Sequence, residues 1–408
     1  MLTIPGLPLA ERSELQSGGD ISSLTTPESS DRYPTIVVDS AGHIIVVWES
    51  YQKDEGECVC ARAFDGETWS NKTKISGNGL AYRPVAAVDS LGRVHVAWAE
   101  FEDGSWNVYA AVMTNRIWSS PTLITITGAD YFPTIDCDSN GKTWIVWSSY
   151  RNGVHDIFAR VFDGDTWGPE FRITDHEASY RPYVVCDERD KAWIGYDRFD
   201  RDLLQYNTYV LSVTGNRHEA SPSLLLSRDS EVWNSDVSLA LDGKGRLWAA
   251  WQAIGTRGYT ADYVSFLDGT EWSQPQRIAP RQTLFSHCRI DRDPQGDIWL
   301  TSTVSRRTIE TRKLTTKGWS HGHQISQTGL NKHPSAAVCN SGLLFVWQRS
   351  PLNGKVESRN ADIYIRWLDT TSPRHDQLLA ESTNAAENEL SESDFAIKIQ
   401  PYNRPEVT

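Results

Sequence analysis

One phrase governs what this chain can fold into: Pro-x-x-x-x-Asp-x-x-Gly, then a run of apolar residues ending in an aromatic, repeated along nearly its whole length. The clearest copies run from Pro34 through Asp39 and Gly42 to Trp48, from Pro84 through Asp89 and Gly92 to Trp98, and from Pro133 through Asp138 and Gly141 to Trp147. A fourth, from Pro182 through Asp187 to Tyr196, has Asp190 in place of the Gly, and later copies end at Trp251, Ser302 and Trp347. The seven end positions, 48, 98, 147, 196, 251, 302 and 347, lie 45 to 55 residues apart, which is the room that four short strands need.

Residue type assigns a role to each part of the unit. The Asp side chain bonds nearby backbone amides in a tight turn, and the Gly accepts a positive φ. The run Ile44 to Trp48 is apolar without alternation, so that strand is covered on both faces. A third strand follows, as in Asp156 to Phe162, and then a second turn that recurs as Asp65 to Trp69, Asp163 to Trp167 and Asp268 to Trp272. An outer strand such as Phe171 to Thr174 completes the unit. A sheet this small cannot bury its own faces, and seven packed around an axis can. The expected fold is therefore all-β, a seven-bladed β-propeller of four antiparallel strands per blade over residues 19–370.

Closure of the ring is also legible. The seventh copy has a third strand at Asp362 to Trp367 but no convincing fourth, whereas Asp20 to Thr25 precede Pro34 as an outer strand should. The N-terminal strand is thus expected to close the last blade. Residues 1–18 form an extension, and residues 371–408, with seven acids against three bases, read as a flexible tail suited to a protein contact.

Composition narrows the partners. The 17 Trp and 15 Tyr favour strands, and 40 Lys plus Arg against 53 Asp plus Glu give a net charge of -13, which opposes a broad nucleic-acid or anionic-membrane footprint. No apolar run is long enough to span a bilayer, and the first residues lack the features of a secretory signal, so a cytoplasmic location is expected. Cys137 and Cys186 stand where the first two repeats have Val38 and Val88, as reduced thiols acting as small hydrophobes would. Cys58 and Cys60 share a strand face, but no nearby His or Cys completes a metal set, so neither metal nor cofactor is expected.

The Asp-x-x-Gly turn before an apolar strand ending in Trp, with Asp-Gly-x-Thr-Trp before the outer strand, resembles the repeats of bacterial sialidase-like propellers with Asp-box (BNR) repeats, over about residues 20–370. The Asp-box has the form Ser-x-Asp-x-Gly-x-Thr-Trp; here Asp65 and Gly66 are adjacent, one residue shorter. The resemblance implies an arginine cluster for a substrate carboxylate, which Arg83, Arg181 and either Arg32 or Arg306 would supply. No motif fixes the Tyr and Glu that a sialidase needs.

Loops entering the first strand and leaving the second surround one mouth of a propeller's channel, the default place for a ligand. Here the entering loops end in the pairs Arg32-Tyr33, Tyr82-Arg83, Tyr131-Phe132, Tyr180-Arg181, Ser235-Asp236, Ser286-His287 and Lys332-His333, and the leaving loops carry Glu49, Tyr51, Glu100, Tyr150, Arg151, Asp197, Arg198, Gln252, Arg257, Arg306, Gln348 and Arg349. This aromatic, arginine-rich funnel in an acidic protein suits an acidic glycan or an acidic peptide. Seven similar blades without an asymmetric catalytic cluster favour a non-catalytic recognition or scaffold propeller for a protein or glycan. The alternative is a polysaccharide lyase or glycosidase acting on an acidic glycan, with His287 or His333 as base, Tyr180 as proton donor and Arg181 or Arg198 holding a uronate. Packing of the blades is a competing role for the recurring Tyr-Arg pairs.

Overall fold

The computed structural model describes residues 21–370 apart from 27, 54, 176–177, 190, 215–218, 227–231, 256–258, 279–281, 284–286, 305–306, 328, 340–341 and 352–360. The expectations for residues 1–18 and 371–408, and for Arg257, Ser286 and Arg306, fall outside the described residues. Seven antiparallel sheets follow one another, and six of them run from an inner to an outer strand in chain order. Blade 1, for example, comprises Ser30–Val38, Ile44–Gln52, Gly56–Phe64 and Thr73–Lys74. The molecule is a seven-bladed β-propeller. Among the described residues no helix is long and apolar enough to cross a membrane.

The apolar second strands are buried on both faces, because each core lies between two blades rather than within one. Val46 and Trp48 pack with Leu344 and Val346 of blade 7, while Ile45 and Val47 on the opposite face pack with Val96 and Trp98 of blade 2. Each such side chain contributes about 1.5–3 kcal/mol by leaving water.

The ring closes as the repeat count requires. Ser22–Ser23 pairs with Asp362–Asp369, with Ser22 opposite Ile365 and Ser23 opposite Tyr364, so the N-terminal segment is the outer strand of blade 7. Leu24 N donates to Ile363 O at 2.7 Å before the chain turns into blade 1.

The Asp turns are alike in six blades. In each, one carboxylate oxygen of Asp39, Asp89, Asp138, Asp187, Asp242 or Asp293 accepts backbone N–H bonds from the residues two and four positions on, at 2.8–3.1 Å. The second oxygen often takes a side-chain donor, as from Trp248 Nε1 at 3.1 Å and Trp299 Nε1 at 2.9 Å.

The strands extend further than the sequence indicates. Residues expected in entering loops, Arg32 and Tyr82 among them, lie inside inner strands, and Glu49 and Glu100 lie inside second strands. The reason is a β-bulge. Register shifts between Arg32 and Thr35, Tyr82 and Val85, Tyr131 and Thr134, Tyr180 and Tyr183, Ser235 and Ser238, and Lys332 and Ser335 let each inner strand continue past its irregular residue.

Candidate functional site

The bulge sets the geometry of the channel mouth. In six blades its first residue has a positive φ of 46–56°: Tyr33, Arg83, Phe132, Arg181, Asp236 and His333. That conformation is uncommon for residues with a Cβ, and a bulge that adopts it re-aims the side chain. In blade 6 the corresponding residue is His287, just before the inner strand Cys288–Arg292.

These seven side chains, one from each blade, meet in succession. Arg83 lies over the ring of Phe132 at 5.2 Å and over that of Tyr33 at 4.6 Å. Tyr33 meets His333 at 4.3 Å, and His333 meets His287 at 4.2 Å. His287 Nδ1 is 3.8 Å from one oxygen of Asp236, and Arg181 Nε is 3.9 Å from the other. Residues on seven successive blades can touch in this order only around the axis, so together they form a ring at the mouth.

A second set of side chains, directly after the aromatic of each second strand, ties this ring to the scaffold. Glu49 accepts from Arg83 N at 3.4 Å, Ser148 from Arg181 N at 3.0 Å and Asp197 from Asp236 N at 3.2 Å, each reaching into the next blade. Asp197 also accepts from Arg181 Nε at 2.8 Å, and Arg32 stands 4.0 Å from Glu49. Gln252 and Gln348 occupy the equivalent buried positions in blades 5 and 7.

Burial sets the charge of the mouth. It pushes Glu49 and Asp197 each up to about 7. It pushes His287 down to about 4, against the pull of Asp236, and His333 well below the usual imidazole range. Both imidazoles are therefore neutral at pH 7, and the charged groups of the ring are Arg83, Arg181 and Asp236, where burial is outweighed by Arg181 and the other nearby cations and the pKa is lowered. Arg181 is spoken for by Asp197 and Asp236. Arg83 differs: among the described residues no carboxylate lies in ion-pair range of its guanidinium, its Nε has no hydrogen-bond partner, and three aromatic rings, Tyr33, Tyr82 and Phe132, frame it.

The remaining sequence candidates lie elsewhere. Glu100 is buried and accepts from Trp98 Nε1 at 2.7 Å and Gly79 N at 2.8 Å. In blades 1, 3, 5 and 7 an inner-strand Asp31, Asp130, Asn234 or Asn331 serves the corresponding Trp, and in blade 2 that position is Ala81, so Glu100 fills in. Arg151 is held by Glu170 and Asp130 and lies over Phe158. Arg198 lies over Tyr209 at 4.4 Å. Tyr180 sits beside His155 at 4.6 Å and Tyr206 at 5.6 Å rather than beside His287. The Cys58 and Cys60 sulfurs are 3.5 Å apart, and among the described residues no group of three His, Cys, Asp or Glu is arranged to hold a metal.

No protein family and no curated sequence matches the chain. Solved structures do. They include a polysaccharide lyase, the PL25 ulvan lyase bound to -[GlcA(1-4)Rha3S]-, with a TM-score of 0.59 and 14% identity over 83% of this chain and 94% of that one. They also include a Penicillium chrysogenum α-L-arabinanase complexed with arabinobiose, with a TM-score of 0.54 and 12% identity over 71% and 93%. A Hadza microbial sialidase has a TM-score of 0.50 and 12% identity over 80% and 77%. The fold is shared with these carbohydrate-active enzymes, and at such identities the likeness extends to the fold alone.

At the opposite end of the channel a cavity of about 300 Å³ is lined by apolar side chains together with Asp136, Asp291 and Arg292. Burial pushes those two carboxyls up to about 6 and about 7, and Asp136 accepts from Cys186 N at 2.7 Å as a blade-to-blade tie. The mouth, where cation, imidazole and phenol converge, offers the richer chemistry.

Proposed function

We propose that the protein recognises an acidic glycan at the channel mouth. The observation that carries this is Arg83, a half-buried arginine framed by three aromatic rings and with no carboxylate partner among the described residues. Its Nε is unpaired and its side-chain hydrogen bond goes to Tyr33, so among the described residues no carboxylate competes with a ligand carboxylate or sulfate for the guanidinium, and flanking rings accept the apolar faces of sugars. Repulsion of an anionic ligand is limited, because Glu49 and Asp197 are only partly ionised near pH 7 and the ionised Asp236 carboxylate faces Arg181 at 3.9 Å.

A catalytic reading is favoured by one further contact. His333, held neutral, lies against Tyr33, which in turn lies under Arg83. β-Elimination at a uronate needs a cation to hold the carboxylate, a neutral base to take the proton beside it, and a phenol to protonate the leaving oxygen as the C–O bond breaks and the C=C bond forms. Arg83, His333 and Tyr33 are one such set, and His287 is a second base in contact with the first. These roles differ from those expected of Tyr180 and Arg181.

The test is to incubate the pure protein with acidic and neutral polysaccharides, scoring a melting-temperature shift together with new chain ends. A shift with acidic polymers alone supports recognition, and unsaturated ends raise it to a lyase. A shift with neutral polymers only, or no response to any, overturns the acidic-glycan reading and turns attention to a protein partner.

A further inference from the structure

The rim around the ring is not sevenfold. Three residues beyond the aromatic of the second strand, the hairpin to the third strand carries an aromatic pair in three consecutive blades: Phe101 opposite Trp106, Tyr150 opposite His155 and Phe199 opposite Tyr206. The same position holds Tyr51 opposite Glu57 in blade 1 and Ile254 opposite Thr260 in blade 5, and in blade 7 it is Ser350.

Inner-strand aromatics extend these pairs into two stretches, one across blades 2 and 3 and one across blades 3 to 5. Trp106 lies 6.2 Å from Tyr82 of its own blade and 5.7 Å from Tyr131 of the next. His155 lies against Tyr180 of blade 4, and Tyr206 lies between Tyr180 and Trp233 of blade 5, 6.0 Å away. Much of this surface is open: Phe101 is 37% exposed, Tyr150 47% and Trp233 49%. Burial lowers the His155 pKa, so that ring behaves as an apolar platform.

Each stretch meets the ring at one of its arginines. Tyr82 touches Tyr33 and lies under Arg83, while Arg181 lies over Tyr206 at 5.9 Å. Packing alone does not explain aromatic pairs in three consecutive blades, since blades 1 and 5 are built on the same scaffold with Tyr51, itself 43% exposed, opposite Glu57 and with Ile254 opposite Thr260. Exposed aromatics continuous with a cationic mouth are the pattern of an extended ligand with alternating apolar faces and charges.

We infer that blades 2 to 5 form a row of sugar platforms, so that the ligand is an internal stretch of a polyuronate-type or sulfated polysaccharide, several units long, rather than a single terminal acidic sugar. This rests on the acidic-glycan reading of the mouth and specifies its substrate class. The stacked units supply affinity along the rim, and Arg83 sets which unit sits over the channel.

Calorimetric titration of the full chain with a size ladder of oligogalacturonates and of heparin fragments, from disaccharide to octasaccharide, tests this. Affinity is expected to rise at least tenfold from disaccharide to hexasaccharide. Trp106→Ala and Tyr206→Ala are each expected to reduce hexasaccharide affinity about tenfold while changing disaccharide affinity less than about threefold. Equal affinity for short and long oligomers, or long-oligomer binding indifferent to both substitutions, overturns the platform row and leaves the mouth site standing. Binding of no oligomer in either series overturns both. Trp106→Phe, which keeps a ring, is expected to retain most of the affinity and separates loss of stacking from loss of fold.

Discussion

The two ends of the inner strands make an instructive contrast. At the Asp-turn end the blades are nearly interchangeable: six carboxylates accept the same two backbone N–H bonds at nearly the same distances. At the mouth the backbone is nearly as regular, with six bulges at φ 46–56°, yet their side chains are Tyr, Arg, Phe, Arg, Asp and His, and His287 stands in the remaining blade. Where repetition reaches the side chain, it serves the turn. Where it stops at the backbone, the scaffold presents five kinds of side chain from seven blades to one point, which a binding site needs.

The largest expected effect would break this contrast if it spread to both ends. Asp89→Ala removes acceptors for Leu91 N, Arg93 N, Arg93 Nε and His95 Nε2, leaving a buried imidazole unpaired. A loss of about 3 kcal/mol in denaturant unfolding is expected, with glycan affinity unchanged well below the melting temperature. A parallel loss of affinity would mean that the two ends are not independent.

Arg83→Ala probes the other end. About a thirtyfold loss of acidic-glycan affinity is expected, roughly 2 kcal/mol, with a smaller effect on stability because no ion pair is broken. Arg83→Lys keeps the charge and loses the fork, and should recover only part of the affinity. Full recovery would show that charge alone is read.

The smallest effect sharpens the role of the second set of mouth side chains. With Glu49 pushed up to about 7 from 4.5, the folded chain holds a proton that the unfolded chain releases. Its contribution to stability therefore falls as pH rises from about 4 to about 7 and is flat above. Glu49→Gln keeps an acceptor for Arg83 N and removes that slope, so the stability difference between roughly pH 5 and pH 8 should shrink by about 1–2 kcal/mol. An unchanged pH profile would show that Glu49 is ionised in the folded protein.

Much of the site is traceable in the sequence once its position is known. The ring residue is the one directly before the repeat Pro in five blades, at Tyr33, Arg83, Phe132, Arg181 and His333, and residues next to or at this position were recognisable as candidates. The sequence places both residues of each entering pair at the mouth, and the bulge, which has no composition of its own, decides between them: it turns Tyr33, Phe132 and Asp236 onto the axis and leaves Tyr180 on the rim. His155, Trp106 and Tyr206 sit on third strands, where their neighbours become visible only when adjacent blades are packed together. Glu100 looked like a funnel acid because its duty depends on Ala81, a residue 19 positions earlier that cannot accept a bond from Trp98.

The sequence by itself determined the number of blades, the turn and core roles within each, and the closure by the N-terminal strand, because those follow from local chemistry repeated at a fixed period. Only the tertiary structure decided which side chains share the channel mouth, that Arg181 is committed to Asp197 and Asp236 while Arg83 is not, and that the aromatics line one side. Those facts arise from contacts between blades, where residues about fifty positions apart are brought within a few ångströms by the ring geometry and by a backbone irregularity that no single repeat spells out.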